Sequence, residues 1–320
     1  MKDRQAVTLQ WITVKAKEDR SSSLDSEDLR VVHSARHARG LRLGQLTGNR
    51  FIIRIRNLDP TAAPRIFRKL NTLANTGLPN RFMSQRFGYR GANHVLGGCL
   101  LQKDWSGLLR CWLGTDGPPW PEAEERRRVH FERGELDEAA AAWPPSWQAE
   151  RRALERLAQG ATPEAVVLDV RRAVSRIWTD AWQSAIFNDV LDHRVANGTI
   201  SQIGEGDISW SHERFLGEVD AAGPVDVPTG PLWGRRMRRA SGVVDEAEVE
   251  ALHRCGQSVG LLEERGMPRG NRRPLLVPVG APRCESGFDD HGAYVEVGFE
   301  LAKGCYATAV IDELMGSAAT

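Results

Sequence analysis

Two alternating apolar patterns near opposite ends of the chain constrain its fold more than any other feature. Val295, Val297, Phe299 and Leu301 alternate with Glu296, Gly298 and Glu300, and Phe51, Ile53 and Ile55 alternate with Ile52, Arg54 and Arg56. A period of two puts each set on one face of a strand, so both segments read as strands with one face toward a core. Val7 to Val14 alternates similarly, with Val7, Leu9 and Trp11 on one face, and reads as a further strand. Between them, His37 to Asn49 is rich in Gly and Arg and reads as a loop or hairpin. Ile66, Leu70, Leu73 and Ala74 fall at helical spacing, and Gly77 with Pro79 supplies the stop.

The middle of the chain has a different character. Gly117-Pro118-Pro119-Trp120-Pro121 and Trp143-Pro144-Pro145 punctuate a charged, Ala-rich segment that reads as connecting or peripheral helices. Thr162-Pro163 opens a helix with a favoured cap and a proline at its first position. Trp178, Trp182, Ala185, Ile186 and Val190 continue a helical stripe that Asn197-Gly198 ends, and its two tryptophans read as core. Asp245 followed by Glu248 resembles a capping box, with Val249 and Leu252 inward and Gly256 as the stop. After the last strand, Gly304 breaks the pattern and Val310, Ile311 and Leu314 mark a short helix. Strands at both ends around a helix-rich middle imply an α+β fold in which one domain is interrupted by another, and 320 residues suffice for two.

With 41% hydrophobic and 27% charged residues, global disorder is excluded. No apolar run approaches the roughly 20 residues that span a bilayer, and no apolar N-terminal stretch suggests export. The five cysteines are widely spaced and form no C-x-x-C pair, so reduced thiols in the cytoplasm are expected rather than a disulfide framework or zinc site. His33 and His37 stand four apart, but no third ligand motif accompanies them and no metal is expected. The net charge of +1 conceals a local bias: from Arg30 to Arg90 there are 13 Lys and Arg residues against one acidic residue, Asp59. The opposite bias sits around Glu122 to Glu138. A positive stripe on a nearly neutral protein suggests a surface that faces a polyanion; the alternative is a set of solvated arginines.

Five blocks carry the functional information. The first is Lys2-Asp3-x-x-Ala6-Val7-Thr8-x-Gln10-Trp11. The second is Arg36-His37-x-Arg39-x-Leu41-Arg42-x-Gly44-x-Leu46-x-Gly48-Asn49-x-Phe51. The third joins Gly77-x-Pro79-Asn80-x-Phe82 to Gln85-Arg86-Phe87-Gly88, with Asn93 following. Ser184-Ala185-Ile186-Phe187-Asn188 and Leu301-x-x-Gly304-Cys305-Tyr306-Ala307-Thr308 complete the set. In this order they resemble the signature blocks of the TruD family of RNA pseudouridine synthases.

The resemblance implies a tRNA pseudouridine synthase acting on uridine 13. The implied architecture is a pseudouridine synthase-like catalytic domain with a mixed, mainly antiparallel sheet, formed by residues 1–102 and 272–320. An inserted α/β domain specific to the family would occupy 103–271, with the RNA clamped in a basic cleft and the target uridine flipped from its stack. The reaction breaks the glycosidic bond and rejoins the base through carbon. It needs an ionised carboxylate and an aromatic platform, and no cofactor or metal. By position, the resemblance makes Asp3 the nucleophile and Phe82 the surface on which the base stacks. Asn80 would hydrogen-bond at the site and hold the catalytic loop, which Gln85 and Arg86 would shape. Arg36, His37, Arg39 and Arg42, together with Arg50, would contact phosphates. The implied protein is a cytoplasmic monomer whose partner is tRNA. Without the resemblance, Asp3 reads as a solvated charge near a terminus, Asn80 as a turn former after Pro79, and Arg86 as a core-anchoring ion.

The chain also departs from the family pattern. The family's N-[FY]-[FY]-G has Arg81 in place of an aromatic and Met83 in place of glycine; if that glycine needs a positive φ, Met83 costs catalytic geometry. Ala302 stands where proline is frequent, and Asp312 precedes Glu313 where arginine is common. Family members carry several tens of residues before the K-D motif. Three readings of that difference stand: a start codon assigned too late, a split or truncated gene, or a protein that binds RNA without catalysis. The rival function is accordingly a non-catalytic RNA-binding or RNA-remodelling protein, which needs the basic stripe but not Asp3. A metal-dependent nuclease is a third, against which the lack of a clustered carboxylate or His/Cys motif argues.

Overall fold

The computed structural model describes residues 6–15, 25–42, 45–117, 122–213, 223–264 and 266–316. The strands among them are β1 (Gly48–Arg56), β2 (Leu78–Pro79), β3 (Ser209–Ser211), β4 (Asp226–Leu232), β5 (Asn271–Pro274), β6 (Leu276–Val277), β7 (Val279–Asp289) and β8 (Gly292–Ala302). They form three sheets, β1-β8-β7, β2-β6 and β3-β4-β5. Every described pair is antiparallel, where a mixed, mainly antiparallel sheet was expected.

The two alternating segments pair with each other. Phe51 lies opposite Phe299, Ile53 opposite Val297 and Ile55 opposite Val295, so both apolar sets share one face. The helix Ala63–Thr76 covers that face with Ile66 and Leu70, and the helix Ala307–Met315 adds Val310 and Leu314. Residues from both ends of the chain therefore build a single core. Gly77 caps the first helix at φ 87°, a conformation that glycine adopts without Cβ strain.

The opposite face of this sheet changes the reading of the basic stripe. Arg50 pairs with Glu300 at 2.6 Å, Arg54 with Glu296 at 2.8 Å, and Arg56 with Asp289 at 2.7 Å. The Arg54 guanidinium also lies 4.5 Å from the centre of the Tyr294 ring. Three arginines of the stripe, Arg50 among the expected phosphate contacts, are thus matched by carboxylates from the far end of the chain. Hydrogen bonds from Arg56 hold the Asp289 carboxyl well below its ordinary value of 3.8. A depressed carboxylate contributes stability that is present above 3.8 and lost as pH falls toward the folded-state value. Asp289→Asn is therefore expected to lower the urea midpoint at pH 7 and to match the parent at strongly acid pH. An equal deficit across the whole range would reject this assignment.

The middle of the chain is not peripheral. Arg128 and Trp143 are each 1% exposed, and Leu108, Leu113, Leu154 and Trp178 join Trp143 in one core. Arg128 donates to the carbonyls of Trp112 (2.9 Å) and Gly114 (3.0 Å), satisfying groups at the C-terminal end of the helix Trp105–Leu113. Burial lowers its pKa to about 10. The long helix Arg172–Ala196 carries the expected stripe, with Trp178, Trp182, Ile186 and Val190 buried. It packs against the helix Asn93–Gln102 at Gly97, where a Cβ would meet the Trp178 carbonyl oxygen at 2.2 Å.

Two other local expectations are corrected. Ser241, not Asp245, sits at the cap of the helix Gly242–Arg254; Asp245 pairs with Arg239, and Glu248 turns inward. The segment from Val7 to Val14 is not a strand: no described strand pairs with it, and Val7, Leu9 and Trp11 are exposed. Alternation specifies a strand only where a neighbour supplies ladder bonds and a core accepts one face. Here the segment is tied by Leu41 donating its N–H to Thr13 Oγ1 at 3.1 Å, and by the Trp11 ring edge-on to His33. The stretch His37 to Thr47 is loop, without a hairpin among its described residues.

Candidate active site around Phe82

The loop Asn80–Met83 follows β2, and its backbone is held by side chains remote in sequence. Asn80 is 4% exposed; its N–H donates to the Leu275 carbonyl and its Nδ2 to the Pro274 carbonyl, both at 2.8 Å. Its Oδ1 accepts from Arg273, whose Nε also donates to the Asn80 carbonyl at 3.3 Å. Two residues on, Asn188 grips Phe82: the Phe82 N–H donates to Asn188 Oδ1 at 2.9 Å, and Asn188 Nδ2 donates to the Phe82 carbonyl at 2.8 Å. Each side-chain amide thus uses both its donor and its acceptor, a satisfied arrangement that fixes loop position relative to the long helix.

The Phe82 ring is buried, 6% exposed, with Phe187 and Tyr306 edge-on at 5.5 and 6.1 Å. The Arg273 guanidinium lies 4.2 Å and the Arg86 guanidinium 5.3 Å from the ring centre. Arg86 donates to the Tyr306 hydroxyl at 3.1 Å, and Arg273 donates to the Gly304 carbonyl at 3.2 Å. Burial lowers the Arg273 pKa and raises that of the neighbouring Cys305 thiol to about 11. The ring is thus enclosed by two aromatic neighbours and two guanidinium groups.

Strand alternation explains how Arg273 reaches this place. Arg272 and Arg273 are adjacent in β5 and point to opposite faces. Arg272 forks onto Glu248, with both bonds at 2.6 Å, and binds Thr229. Arg273 points the other way, to Asn80 and Phe82.

Met83 has φ −89° and ψ 170°, ordinary extended backbone, so the missing glycine costs no strain there. Its side chain packs on the sheet core. Gly88 is the residue in this loop that needs to be glycine: φ is 80°, and a Cβ would meet Asn93 Nδ2 at 2.8 Å. Arg81, in place of an aromatic, pairs with Asp192.

Of the residues singled out from the sequence, Asn80, Phe82 and Arg86 come together. Gln85 is exposed on the short helix Ser84–Phe87. Arg36, His37, Arg39 and Arg42 lie apart from them in sequence on the exposed 25–42 segment, where His37 Nδ1 is 2.8 Å from the Arg39 carbonyl. Asp3 lies outside the described residues. Sequence reasoning passed over three participants. Asn188 and Tyr306 stand inside the matched blocks, but nothing in Asn271-Arg272-Arg273-Pro274 marked Arg273. Among the described residues no group of three or more His, Cys, Asp or Glu is placed to hold a metal ion, and no helix is long and apolar enough to cross a membrane.

A family model described as TruD, tRNA pseudouridine synthase D, matches residues 1–314. The chain belongs to the TruD family. The tRNA pseudouridine synthase D of Geobacter sulfurreducens is 34% identical over 332 residues, covering 98% of this chain and 79% of that protein. That of Syntrophotalea carbinolica is 30% identical, covering 98% and 81%. A crystal structure of a Methanosarcina mazei protein bearing the TruD name superimposes with a TM-score of 0.76, covering 92% of this chain and 74% of that one. At 24% identity that likeness concerns the fold alone. The family's reaction makes the chain an isomerase, a tRNA pseudouridine synthase.

Proposed function

We propose that this chain isomerises uridine 13 of tRNA to pseudouridine, with Asp3 as nucleophile and the Phe82 cluster as the wall on the base side. The observation that carries this reading is convergence on Phe82. Asn80, Asn188 and Tyr306 come from three separate matched blocks and meet on one loop through hydrogen bonds and ring contacts. The Asp3 carboxylate attacks C1′ of the ribose as the glycosidic C–N bond breaks and the uracil leaves as its anion; the base turns, its C5 attacks C1′ and displaces the carboxylate, and loss of the proton from C5 leaves the C–C bond in place and Asp3 free. Arg273 and Asn80 hold the loop that shapes the wall, and Arg36, His37, Arg39 and Arg42 supply phosphate contacts on an exposed segment. Base stacking on Phe82 belongs to this proposal.

The catalytic domain is assigned to 1–102 and 272–320 and the inserted α/β domain to 103–271. The shared core of β1, β7, β8 and the two covering helices supports the first; the core around Trp143 and Leu154 supports the second, although Ala92 and Leu96 from the first segment also pack into it. A cytoplasmic location fits the five cysteines, all of which are free thiols.

The test is tritium release from tRNA labelled at uracil C5. Release is expected with a tRNA bearing uridine at position 13 and not with one bearing cytidine there. Binding of tRNA without release from either would favour the non-catalytic RNA-binding alternative.

A further inference from the structure

The end of the β4–β5 ladder carries a cluster of charge that the site does not use. Beyond the last pair, Leu232 opposite Asn271, the two strands run into facing loops. The Arg235 N–H donates to the Pro268 carbonyl at 3.0 Å and the Arg236 N–H to the Arg269 carbonyl at 2.8 Å. Gly234 and Gly270 let these loops close: a Cβ on Gly234 would lie 2.4 Å from the Gly270 nitrogen. On this braced backbone Arg235, Arg236, Arg238 and Arg269 are all exposed. Among the described residues none of the four has a carboxylate within salt-bridge distance. Asp245 in the following helix is already taken by Arg239. The contrast with β1 is sharp, since Arg50, Arg54 and Arg56 each meet an acidic partner.

The geometry points to Arg235, Arg236, Arg238 and Arg269 as a phosphate-binding patch for the tRNA backbone flanking the target uridine. The inference rests on the tRNA reading above. Two physical facts carry it. Guanidinium groups without a carboxylate partner among the described residues, on a nearly neutral protein, concentrate the attraction for a polyanion. Moreover, Arg269 is four residues from Arg273, so their backbones are at most roughly 13 Å apart, which ties the patch to the strand that braces the Phe82 cluster. Successive phosphates bracketing a uridine held at Phe82 fall within that reach. The contacts go to phosphate, so they position the RNA without reading its sequence.

The experiment measures equilibrium binding of unmodified tRNA to the full chain between 50 and 200 mM salt. The fourfold variant Arg235→Gln, Arg236→Gln, Arg238→Gln, Arg269→Gln is compared with the parent, with the fourfold Arg→Lys variant, and with Arg126→Gln, Arg133→Gln as a surface control. The Gln variant is expected to bind at least about tenfold more weakly, with the slope of log affinity against log salt reduced by about 3. The Lys variant should recover most of the loss, because phosphate accepts from either cation. The control should bind as the parent does. Unchanged affinity and slope in the Gln variant, or an equal loss in the control, would overturn the patch. Binding is read independently of turnover, so a parent that binds tRNA but forms no pseudouridine would count against the proposed reaction and leave the patch to be judged on affinity.

Discussion

Asp3→Asn is expected to lower pseudouridine formation by roughly 10³-fold or more while leaving tRNA affinity within about twofold of the parent. The substitution keeps the size and shape of the side chain and removes its ability to ionise and attack. It also leaves every described contact around Phe82 in place, because that cluster is held by Asn80, Asn188, Arg273 and Tyr306. Urea midpoints of parent and variant, measured alongside, separate a loss of chemistry from a loss of folding. Single-turnover measurement at saturating tRNA is the appropriate readout, and a rate within tenfold of the parent would exclude Asp3 as nucleophile.

Arg272→Met should be the most destabilising single change in the β4–β5 region, at about 3–5 kcal/mol. Glu248 is 1% and Arg272 7% exposed, and each charge is acceptable there only because the other is present. Burial raises the Glu248 pKa, with the Arg272 fork opposing it. With the fork gone, the folded-state pKa of Glu248 rises further above its ordinary 4.5. The folded state then favours a protonated Glu248, so the stability of the variant should fall as pH rises through that range. The double variant Arg272→Met, Glu248→Met should recover most of the loss, since apolar replacement of a buried pair is often neutral. Urea unfolding at pH 5 and pH 8 tests all three statements. A single-variant cost below about 1 kcal/mol would mean that the pair is not buried in solution as it is here. Because Arg273 is the next residue, the same variant should also slacken the Asn80–Phe82 loop.

Much of the fold was legible because its signals are local. The alternation at Phe51–Ile55 and Val295–Leu301 marks one face of each strand, and pairing places those faces together. Thr162 caps its helix through Oγ1 as its identity and the following Pro163 suggest. Where a pattern depended on a neighbour, sequence reading failed. Val7 to Val14 alternates but has no described strand beside it. Asp245 and Glu248 have capping-box spacing, yet the buried guanidinium of Arg272 competes for Glu248 and wins. The segment around Glu122 to Glu138 is polar on average, but Arg128 lies buried beneath Trp143 and donates to two carbonyls.

The candidate site divides along the same line. By itself the sequence determined the family and the order of its blocks, and it singled out Asn80, Phe82 and Arg86, which the structure brings together, because each block is a short contiguous string whose spacing survives without coordinates. Only the tertiary structure decided that Phe82 is enclosed by Arg273, Arg86 and Tyr306, and that Met83 needs no glycine backbone. It alone showed, among the described residues, which arginines are spent on carboxylates and which are not. The physical reason is that a charge or an aromatic face acquires its role from what lies within a few ångströms. The partners that decide it here, Glu296 and Glu300 for β1 and Arg273 for Phe82, come from the opposite end of the chain.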